Sequence, residues 1–440
     1  MTMVKASRRN ILRVGLGASL IANASVSAVS NRQTASGIKA AEADLMADMA
    51  TYHEAGDKRA GGSGDSLVGD WLTERVMRSG YAVERQMFRV PHFEVARSAI
   101  KIGPREIPVL PLALSLTTPR EGIAGPLREL GEPDVRPGAL AVIDLPHRRW
   151  SKADIPAIRE PVRAAFSEGC AAAILITNGP TGQAIALNVP AGDPMFAGPV
   201  AILAPKNADP VRDGARRGET ARLQIDAHRA SRPAFNIIAR LERAEGLPWL
   251  AVSTPRSGWT ACVGERGPGI VIWLALAEWA ARACTRHNLF FVCNSGHEYE
   301  NLGASHVLGD HAPSPSETAF WLHLGANVAT RDWHEVPGDL FPLPSADPQR
   351  FLLVSDNVIE SARRIFTGQP GLEVPYSLES GAAGELAEII AAGYTSVAGV
   401  FGAHRFHHVA SDDMRTISPS ALGDAARGFR ALVEETLTHF

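Results

Sequence analysis

The stretch of the chain that carries the most chemistry is Asn294–His306, with the sequence NSGHEYENLGASH. It follows the apolar run Leu289–Cys293, which is typical of a buried strand, and it places His297 and Glu298 side by side. An imidazole moves protons near neutral pH, and a carboxylate binds a metal or orients the imidazole. The residue four after His297 is Asn301, so this is not a helical H-E-x-x-H zinc motif. We therefore expect a catalytic edge at the end of this strand, with partners supplied by other segments.

The elements that must position these residues alternate between short apolar runs and helical patterns. WLAVST, NLFFVC and TAFWLHL predict buried strands, and GPGIVIWLALAEWAARAC predicts a helix with a thick apolar face. Such strands form a sheet that helices cover on both faces, and ligands bind at the carboxyl ends of its strands. The pattern predicts an α/β fold, a three-layer α/β/α sandwich with a mixed, mostly parallel sheet.

The composition is that of an ordinary globular protein. The chain has 440 residues, of which 45% are hydrophobic, and a net charge of −3. Because the positive and negative charges nearly balance, the sequence predicts no basic surface patch, and we expect no nucleic-acid partner. The four cysteines show no C-x-x-C spacing, and we expect them to be small buried side chains.

The N-terminal segment pairs Arg8 with Arg9 ahead of an apolar run over residues 11–29. It resembles a twin-arginine export signal, which implies a signal peptide over residues 1–30 and a periplasmic or secreted protein. A membrane anchor is disfavoured, because only about 16 residues separate Arg13 from the polar NRQ, short of the roughly 20 that span a bilayer. No later run is long and apolar enough to span, so we expect no membrane segment after signal cleavage.

A change in the sequence pattern between about residues 122 and 229 predicts an inserted domain. The strand GALAVIDLP and the helix-to-strand unit SEGCAAAILI resemble a protease-associated domain, a small β-rich insert of several exopeptidase families. A second α/β domain of no special type is the alternative. The resulting division is an N-terminal part of the main domain at 31–121, the insert at 122–229, and the rest of the main domain at 230–440.

From about Phe235 to Ile417 the chain resembles the M28 zinc aminopeptidases in the order and spacing of its motifs. That family holds two zinc ions with a histidine, a shared carboxylate, a glutamate, a later aspartate and a closing histidine. The resemblance puts Glu265 at the shared carboxylate, Glu298 at the glutamate ligand and His408 at the closing histidine. In the same pattern His297 replaces the glutamate that acts as general base.

Two departures from this pattern concern a single metal. Thr254 and Gly325 stand where the family has the histidine and the aspartate that belong to the first zinc alone. The three ligands of the second metal survive as Glu265, Glu298 and His408. One histidine with two carboxylates leaves a position open for water, so we expect at most one divalent ion, zinc by ligand type although manganese would suit.

Three interpretations remain open at this point. In the first, one metal activates water and His297 moves protons. In the second no metal binds, Arg256 pairs with Glu265 or Glu298, and Ser257 acts as nucleophile with His297 as its base. In the third, the site is inactive and the protein binds a peptide or metabolite. Chargeable groups gathered in one cleft are costly to bury without a role, which favours a hydrolase.

The expected substrate is a small molecule or a short peptide. Arg256 and Arg266 favour an anionic group over the free amine of an ordinary aminopeptidase substrate, so we expect weak aminopeptidase activity. Further substrate contacts are expected from Trp259, Glu385 and His407, of which Glu385 lies where the resembling family has the aspartate of an S-D-H motif.

Overall fold

The structure is a computed structural model that describes residues 42–130, 137–336 and 339–438. The expected twin-arginine signal lies outside these residues. Strands account for most of the framework: β1 (Ala82–Ile102), β2 (Arg105–Pro108), β3 (Leu110–Pro111), β4 (Ile123–Glu129), β5 (Leu140–Asp144), β6 (Ala172–Ile176), β7 (Val200–Leu203), β8 (Thr220–Leu241), β9 (Trp249–Pro255), β10 (Asn288–Asn294), β11 (Thr318–Leu324), β12 (Arg331–Val336), β13 (Asp339–Ala346), β14 (Phe351–Val354), β15 (Tyr376–Ser377) and β16 (Val397–Phe401).

The helices are interspersed among the strands along the described chain. They are α1 (residues 42–54), α2 (Ser63–Arg78), α3 (Pro156–Ser167), α4 (Asp209–Arg217), α5 (Val263–Ala283), α6 (Leu302–Asp310), α7 (Ile359–Ile365), α8 (Glu385–Ala391) and α9 (Pro419–Leu437). Among the described helices, none is long and apolar enough to cross a bilayer.

The central sheet of the main lobe is mixed and mostly parallel. Its order is β15-β14-β16-β11-β9-β10-β8, in which β16, β11, β9 and β10 run parallel while β14 and β8 pair antiparallel at their flanks. Helices α2, α5 and α9 share one apolar core with one face of the sheet, whereas α6 and α8 pack on the other face. The expected three-layer α/β/α architecture is therefore confirmed.

A second lobe continues the same sheet beyond β8. The long strands β1 and β8 pair over almost their full length, and β4, β5, β6, β7 and β3 extend the path from the far half of β8. Helices α3 and α4 pack on these strands. The expected insert at residues 122–229 falls in this lobe, to which β2, β3 and the distal part of β1 also belong. The boundaries of the insert stay a prediction.

The two lobes share an apolar core on the side of the sheet where the candidate site lies. Trp150, Leu187 and Val189 of the second lobe belong to one buried cluster with Tyr299 and Phe406 of the main lobe. Continuous packing of this kind fixes the second lobe over the strand ends.

The cysteines agree with the sequence-based expectation. Cys170, Cys262, Cys284 and Cys293 are buried and unpaired. They contribute to the packed interior as small apolar side chains.

Candidate active site

The strand ends bring the sequence-predicted residues to one edge of the sheet. Strands β9 and β10 are parallel and in register, with Pro255 opposite Asn294, so the residues that follow each strand meet. The Arg256 amide donates to the Asn294 carbonyl at 2.8 Å, which continues the ladder past the strand ends. Gly296 has a φ of 79° and turns the chain into a 3-10 turn at His297–Tyr299.

His297 forms a buried pair with Glu385. Its Nδ1 lies 3.3 Å from Glu385 Oε1, and Glu385 Oε2 accepts from Asn294 Nδ2 at 2.9 Å. The His297 side chain keeps 13% of its surface exposed whereas that of Glu385 has none, so the ring is the accessible member. The carboxylate therefore orients the imidazole, and the second ring nitrogen, which has no hydrogen-bond partner among the described residues, can face a ligand.

Electrostatics keep the His297 ring neutral near pH 7. Burial and the positive charge of Arg266 lower the pKa of His297, although Glu385 acts in the opposite direction. Burial alone would raise the pKa of Glu385, but the hydrogen bonds from His297 and Asn294 help to outweigh it and lower that pKa. The pair is thus a neutral imidazole held by a carboxylate, which is the form of a general base.

Ser257 is bound to Glu298 and to the backbone of the turn. Its Oγ donates to Glu298 Oε2 at 2.7 Å and accepts from the amides of Gly296 at 2.7 Å and His297 at 3.2 Å. Three partners satisfy a hydroxyl fully. Among the described residues the polar contact of Ser257 with His297 is through the backbone amide, and the imidazole is paired with Glu385 instead.

Glu298 is a buried carboxyl whose two oxygens accept hydrogen bonds from neutral groups. Its Oε1 accepts from the Ala60 amide at 2.7 Å, so both of its oxygens have partners. Burial raises the pKa of Glu298 to about 7, and the hydrogen bonds from Ala60 and Ser257 offset only part of that effect. The carboxyl ties the segment before α2 to the strand-end turn.

Glu265 lies at the opposite wall of the site, in the first turn of α5. One oxygen, Oε1, is 2.7 Å from Arg266 Nη2 and 3.1 Å from His408 Nε2, while Oε2 is buried with no hydrogen-bond partner among the described residues. Burial would raise the pKa of Glu265, but Arg266 and His408 hold it well below the usual range. Asp412 accepts from the Gly264 and Glu265 amides and so fixes this helix start.

His408 faces oxygen atoms on both sides of its ring. Nδ1 is 2.9 Å from the Ala186 carbonyl and Nε2 is 3.1 Å from Glu265 Oε1. A neutral imidazole has one N–H, so it can satisfy only one of these acceptors. Either a second proton or a bound cation between Nε2 and Glu265 resolves the conflict. The residue adopts a φ of 58°, a left-handed conformation that aims the ring at this position.

Three side chains of this wall have the geometry of a metal-binding group. Ligand atoms of Glu265, His407 and His408 lie within 4.8 Å of one another, and all three residues are buried. The rings of His407 and His408 stack at 3.8 Å, and His407 Nδ1 has no hydrogen-bond partner among the described residues. Burial and the adjacent His408 keep the pKa of His407 well below its usual value, which leaves a neutral ring with a free lone pair. One carboxylate and two imidazoles suit a single zinc ion.

This group differs from the ligand set expected from the sequence. His407, expected as a substrate contact, joins Glu265 and His408, whereas the oxygens of Glu298 are taken up by Ala60 and Ser257. In the sequence, the adjacent histidines of FHH were the available indication that His407 could join His408 as a metal ligand. Only the tertiary approach of the segment around Ala60 shows how Glu298 is bound.

Thr254 and Gly325, which stand where the resemblance places the ligands of the first zinc, are occupied by other close contacts. Thr254 Oγ1 donates to the Leu324 carbonyl at 2.7 Å. A Cβ atom at Gly325 would lie 2.6 Å from the Val400 carbonyl oxygen, a distance that real Cβ atoms do not adopt. A carboxylate cannot be placed at Gly325 without moving β16.

Arg256 is paired away from Glu265 and Glu298. Its Nε is 2.9 Å from Asp65 Oδ1, and its other nitrogens donate to the carbonyls of Cys293 at 3.0 Å and Phe235 at 2.6 Å. The guanidinium also lies 4.6 Å from the ring centre of Phe235. Sequence reasoning missed Asp65, a buried carboxylate in the first turn of α2. The pair ties α2 to the strand ends.

Arg266 and Trp259 complete the predicted set. Arg266 Nε donates to the Ser257 carbonyl at 3.1 Å, and its Nη1 is buried without a hydrogen-bond partner among the described residues. Trp259 Nε1 donates to Asn188 Oδ1 of the second lobe at 2.8 Å, and its ring packs edge-on against Tyr299. The structure therefore gathers all ten sequence-predicted residues at this edge of the sheet. They form two groups, one around the pair of His297 and Glu385 and the other around the pair of Glu265 and His408.

Comparisons with known proteins support the fold. No protein-family model matches the chain, and no curated protein matches it in sequence. Among solved structures, the peptidase M28 precursor from Shewanella amazonensis SB2B matches with a TM-score of 0.69 and 16% identity over 91% of this chain and 95% of that one. A zinc aminopeptidase from Bacillus subtilis matches with a TM-score of 0.68 and 18% identity over 90% of this chain and 94% of that one. An aminopeptidase from Aneurinibacillus sp. strain AM-1 matches with a TM-score of 0.64 and 16% identity over 90% of this chain and 93% of that one. The chain has an M28-like fold.

Proposed function

We propose that this protein hydrolyses an amide or a related acyl bond in a small anionic substrate, with His297 as the proton-transfer group. The observation that carries the proposal is the buried His297–Glu385 pair at the carboxyl end of the sheet, with one ring nitrogen unoccupied and the ring partly accessible. The fold shared with peptidases supports the reaction class.

The chemistry assigned to His297 is general base followed by general acid. The free ring nitrogen takes a proton from water while the water oxygen adds to the acyl carbon, and the same proton passes to the leaving nitrogen as the acyl–nitrogen bond breaks. Glu385 stabilises the imidazolium between these steps and keeps its orientation. A neutral resting ring, which the lowered pKa of His297 provides, is the required starting state.

Arg266 is proposed to bind an oxygen of the substrate. Its buried Nη1 is a charged donor without an acceptor among the described residues, which is a costly arrangement unless a ligand supplies one. A carboxylate or an acyl oxygen fits this donor, whereas a free ammonium group does not. The preference for anionic substrates and the weak aminopeptidase activity follow from this charge.

At most one divalent ion is proposed to accompany these residues. Glu265, His407 and His408 would hold it, because their free lone pairs converge and because a cation resolves the conflict at His408. A bound zinc ion would supply Lewis acidity to water or to the acyl oxygen. Arg266 already neutralises Glu265 on one side, which disfavours a second ion.

Two alternatives are linked to specific contacts. A metal-free serine mechanism requires Ser257 to face the His297 ring, yet its hydroxyl is bound to Glu298 and two amides. A binding protein without activity is favoured by the burial of Glu265 and Glu298, whose side chains are at most 1% exposed. The binding alternative predicts affinity for a peptide or metabolite without turnover.

We also propose export by the twin-arginine route on the basis of Arg8 and Arg9 with the apolar run behind them. Substrates would then be encountered in the periplasm or outside the cell. Cell fractionation of a tagged full-length chain and of its R8K/R9K double variant tests this. Retention of the variant in the cytoplasm supports the proposal, and unchanged export contradicts it.

The activity is tested with a panel of amides. Aminoacyl anilides, N-acylated amino acids and other carboxylated amides are compared by kcat/KM on the purified protein with and without added zinc. We expect kcat/KM for the carboxylated amides to exceed that for leucine anilide by about tenfold or more, because one charge-assisted hydrogen bond contributes about that much. Faster turnover of leucine anilide contradicts the proposal, and saturable binding without any turnover favours the binding alternative.

A further inference from the structure

A large cavity lies between the two lobes and opens beside the candidate site. Its volume is about 820 Å³, within the range of small-molecule pockets. Its main-lobe wall includes Trp259, Tyr299 and His408. Trp259 and His408 also belong to the candidate site, so the cavity borders the site.

The lining of the cavity is more apolar than polar, with charged and polar side chains among its residues. Its walls come from β1, β3, β7 and the segment around residue 186, and they include the buried side chains of Phe93, Val109, Leu187 and Ile202. Leu110 also lines it and is 38% exposed, so apolar surface reaches the mouth. Exposed apolar surface around a cavity of this volume gains free energy when an apolar group covers it.

The charged groups at the mouth are paired, with one exception. Arg59 lies 3.4 Å from Asp57, and Glu94 pairs with Arg232. His92 faces the same Glu94 at 3.5 Å, and burial together with the charge of Arg232 lowers its pKa. The exposed ammonium of Lys206 also lines the cavity, and among the described residues it has neither an ion-pair nor a hydrogen-bond partner.

We propose that this cavity binds the apolar body of an amphipathic carboxylate, with the carboxylate at Lys206 and the reacting amide in the adjoining candidate site. The inference rests on the proposed function and deepens it, because it names the substrate class as amides in which an apolar segment separates the reacting bond from a carboxylate. Continuity with the site and the unpaired cation are its two independent supports. The second lobe supplies Lys206 and most of the apolar wall, so it determines specificity.

The test is calorimetric binding of octanoate, with octylammonium and butyrate as probes of charge and of chain length. Octanoate is expected to bind about tenfold or more tighter than either, because each control lacks one of the two contacts. Lys206→Glu should remove the preference for octanoate over octylammonium. Lys101→Glu, a reversal at an exposed lysine on β1 away from the cavity, should retain it.

Leu110→Asp tests the apolar wall, with Leu116→Asp as its matched control. The two leucines are 38% and 40% exposed, and only Leu110 lines the cavity. Leu110→Asp should weaken octanoate binding by about tenfold while Leu116→Asp leaves it within about twofold. Equal melting temperatures of the two variants show that folding is preserved.

The outcomes separate this inference from the proposed function. Octanoate binding that responds to Lys206 and Leu110 supports the cavity assignment even if the amide panel shows no turnover. Hydrolysis of short carboxylated amides without octanoate binding overturns the assignment and leaves the proposed function standing. Octanoate binding that neither Lys206→Glu nor Leu110→Asp changes also overturns the assignment.

Discussion

At the scale of single residues, the site is defined by how each chargeable group finds a partner. His297 pairs with Glu385, Glu298 with Ser257 and Ala60, and Glu265 with Arg266 and His408. Among the described residues, the buried atoms left without a hydrogen-bond partner include Glu265 Oε2, Arg266 Nη1 and His407 Nδ1. Buried groups of this kind are rare in native proteins, so their concentration here marks the place where a ligand is expected.

His297→Gln tests the role of the histidine, since it removes the proton-transfer group while preserving polarity and approximate size. We expect a fall in kcat of about 10²–10⁴-fold because general acid–base catalysis contributes about that much. Metal content and melting temperature should stay unchanged. His306→Gln, at an exposed histidine of α6, is the control and should keep full activity. Near-full activity of the His297 variant would show that this histidine is structural.

The pH dependence follows from the lowered pKa of His297. Activity requires the neutral ring, so kcat/KM should be constant through neutral pH and fall as the pH drops through a value below 6.5, the ordinary pKa of histidine. Replacing Glu385 with Gln removes the carboxylate that favours the charged ring, so the fall should move to still lower pH. A rate that instead decreases as the pH rises through this range would show that His297 acts in its protonated form.

At the scale of elements, the parallel strand ends set the architecture of the site. The alternation of apolar runs and helical patterns was sufficient to predict this sheet and the edge at which His297 lies, because burial on both faces makes such strands recognisable. The partners of Glu298 and Arg256 were not predictable in the same way. Ala60 is 238 residues from Glu298 in sequence, and Asp65 is 191 from Arg256, so only the packing of α2 onto the strand ends determines these contacts.

Gly325→Ala tests the close approach of β11 and β16. An added Cβ would meet the Val400 carbonyl oxygen at 2.6 Å, so we expect a loss of about 1–3 kcal/mol in the free energy of unfolding. Gly309→Ala in α6 is the matched control, because a Cβ there meets nothing within 4 Å and alanine is the better helix former. Chemical denaturation measures both. An unchanged stability of Gly325→Ala would mean that the position has room for a larger side chain.

At the scale of the whole molecule, the protein shares its fold with solved aminopeptidase structures at 16–18% sequence identity. The resemblance to the M28 zinc aminopeptidases implies that Thr254 and Gly325 stand where one set of metal ligands would be, and Arg266 lies 2.7 Å from Glu265. The second lobe packs over this site through a shared apolar core and adds the cavity wall. We therefore propose as the central claim that the two-metal centre implied by the resemblance to zinc aminopeptidases is reduced here to one metal position or to none, with His297 as the proton carrier.

Elemental analysis of protein purified without chelator and then equilibrated with zinc tests this claim most directly. We predict at most one equivalent of tightly bound divalent ion per chain, lost in His407→Gln and retained in Glu298→Gln, because the free lone pairs belong to Glu265, His407 and His408. Circular dichroism of both variants confirms that the fold is intact. Two equivalents of tightly bound ion per chain would contradict the account.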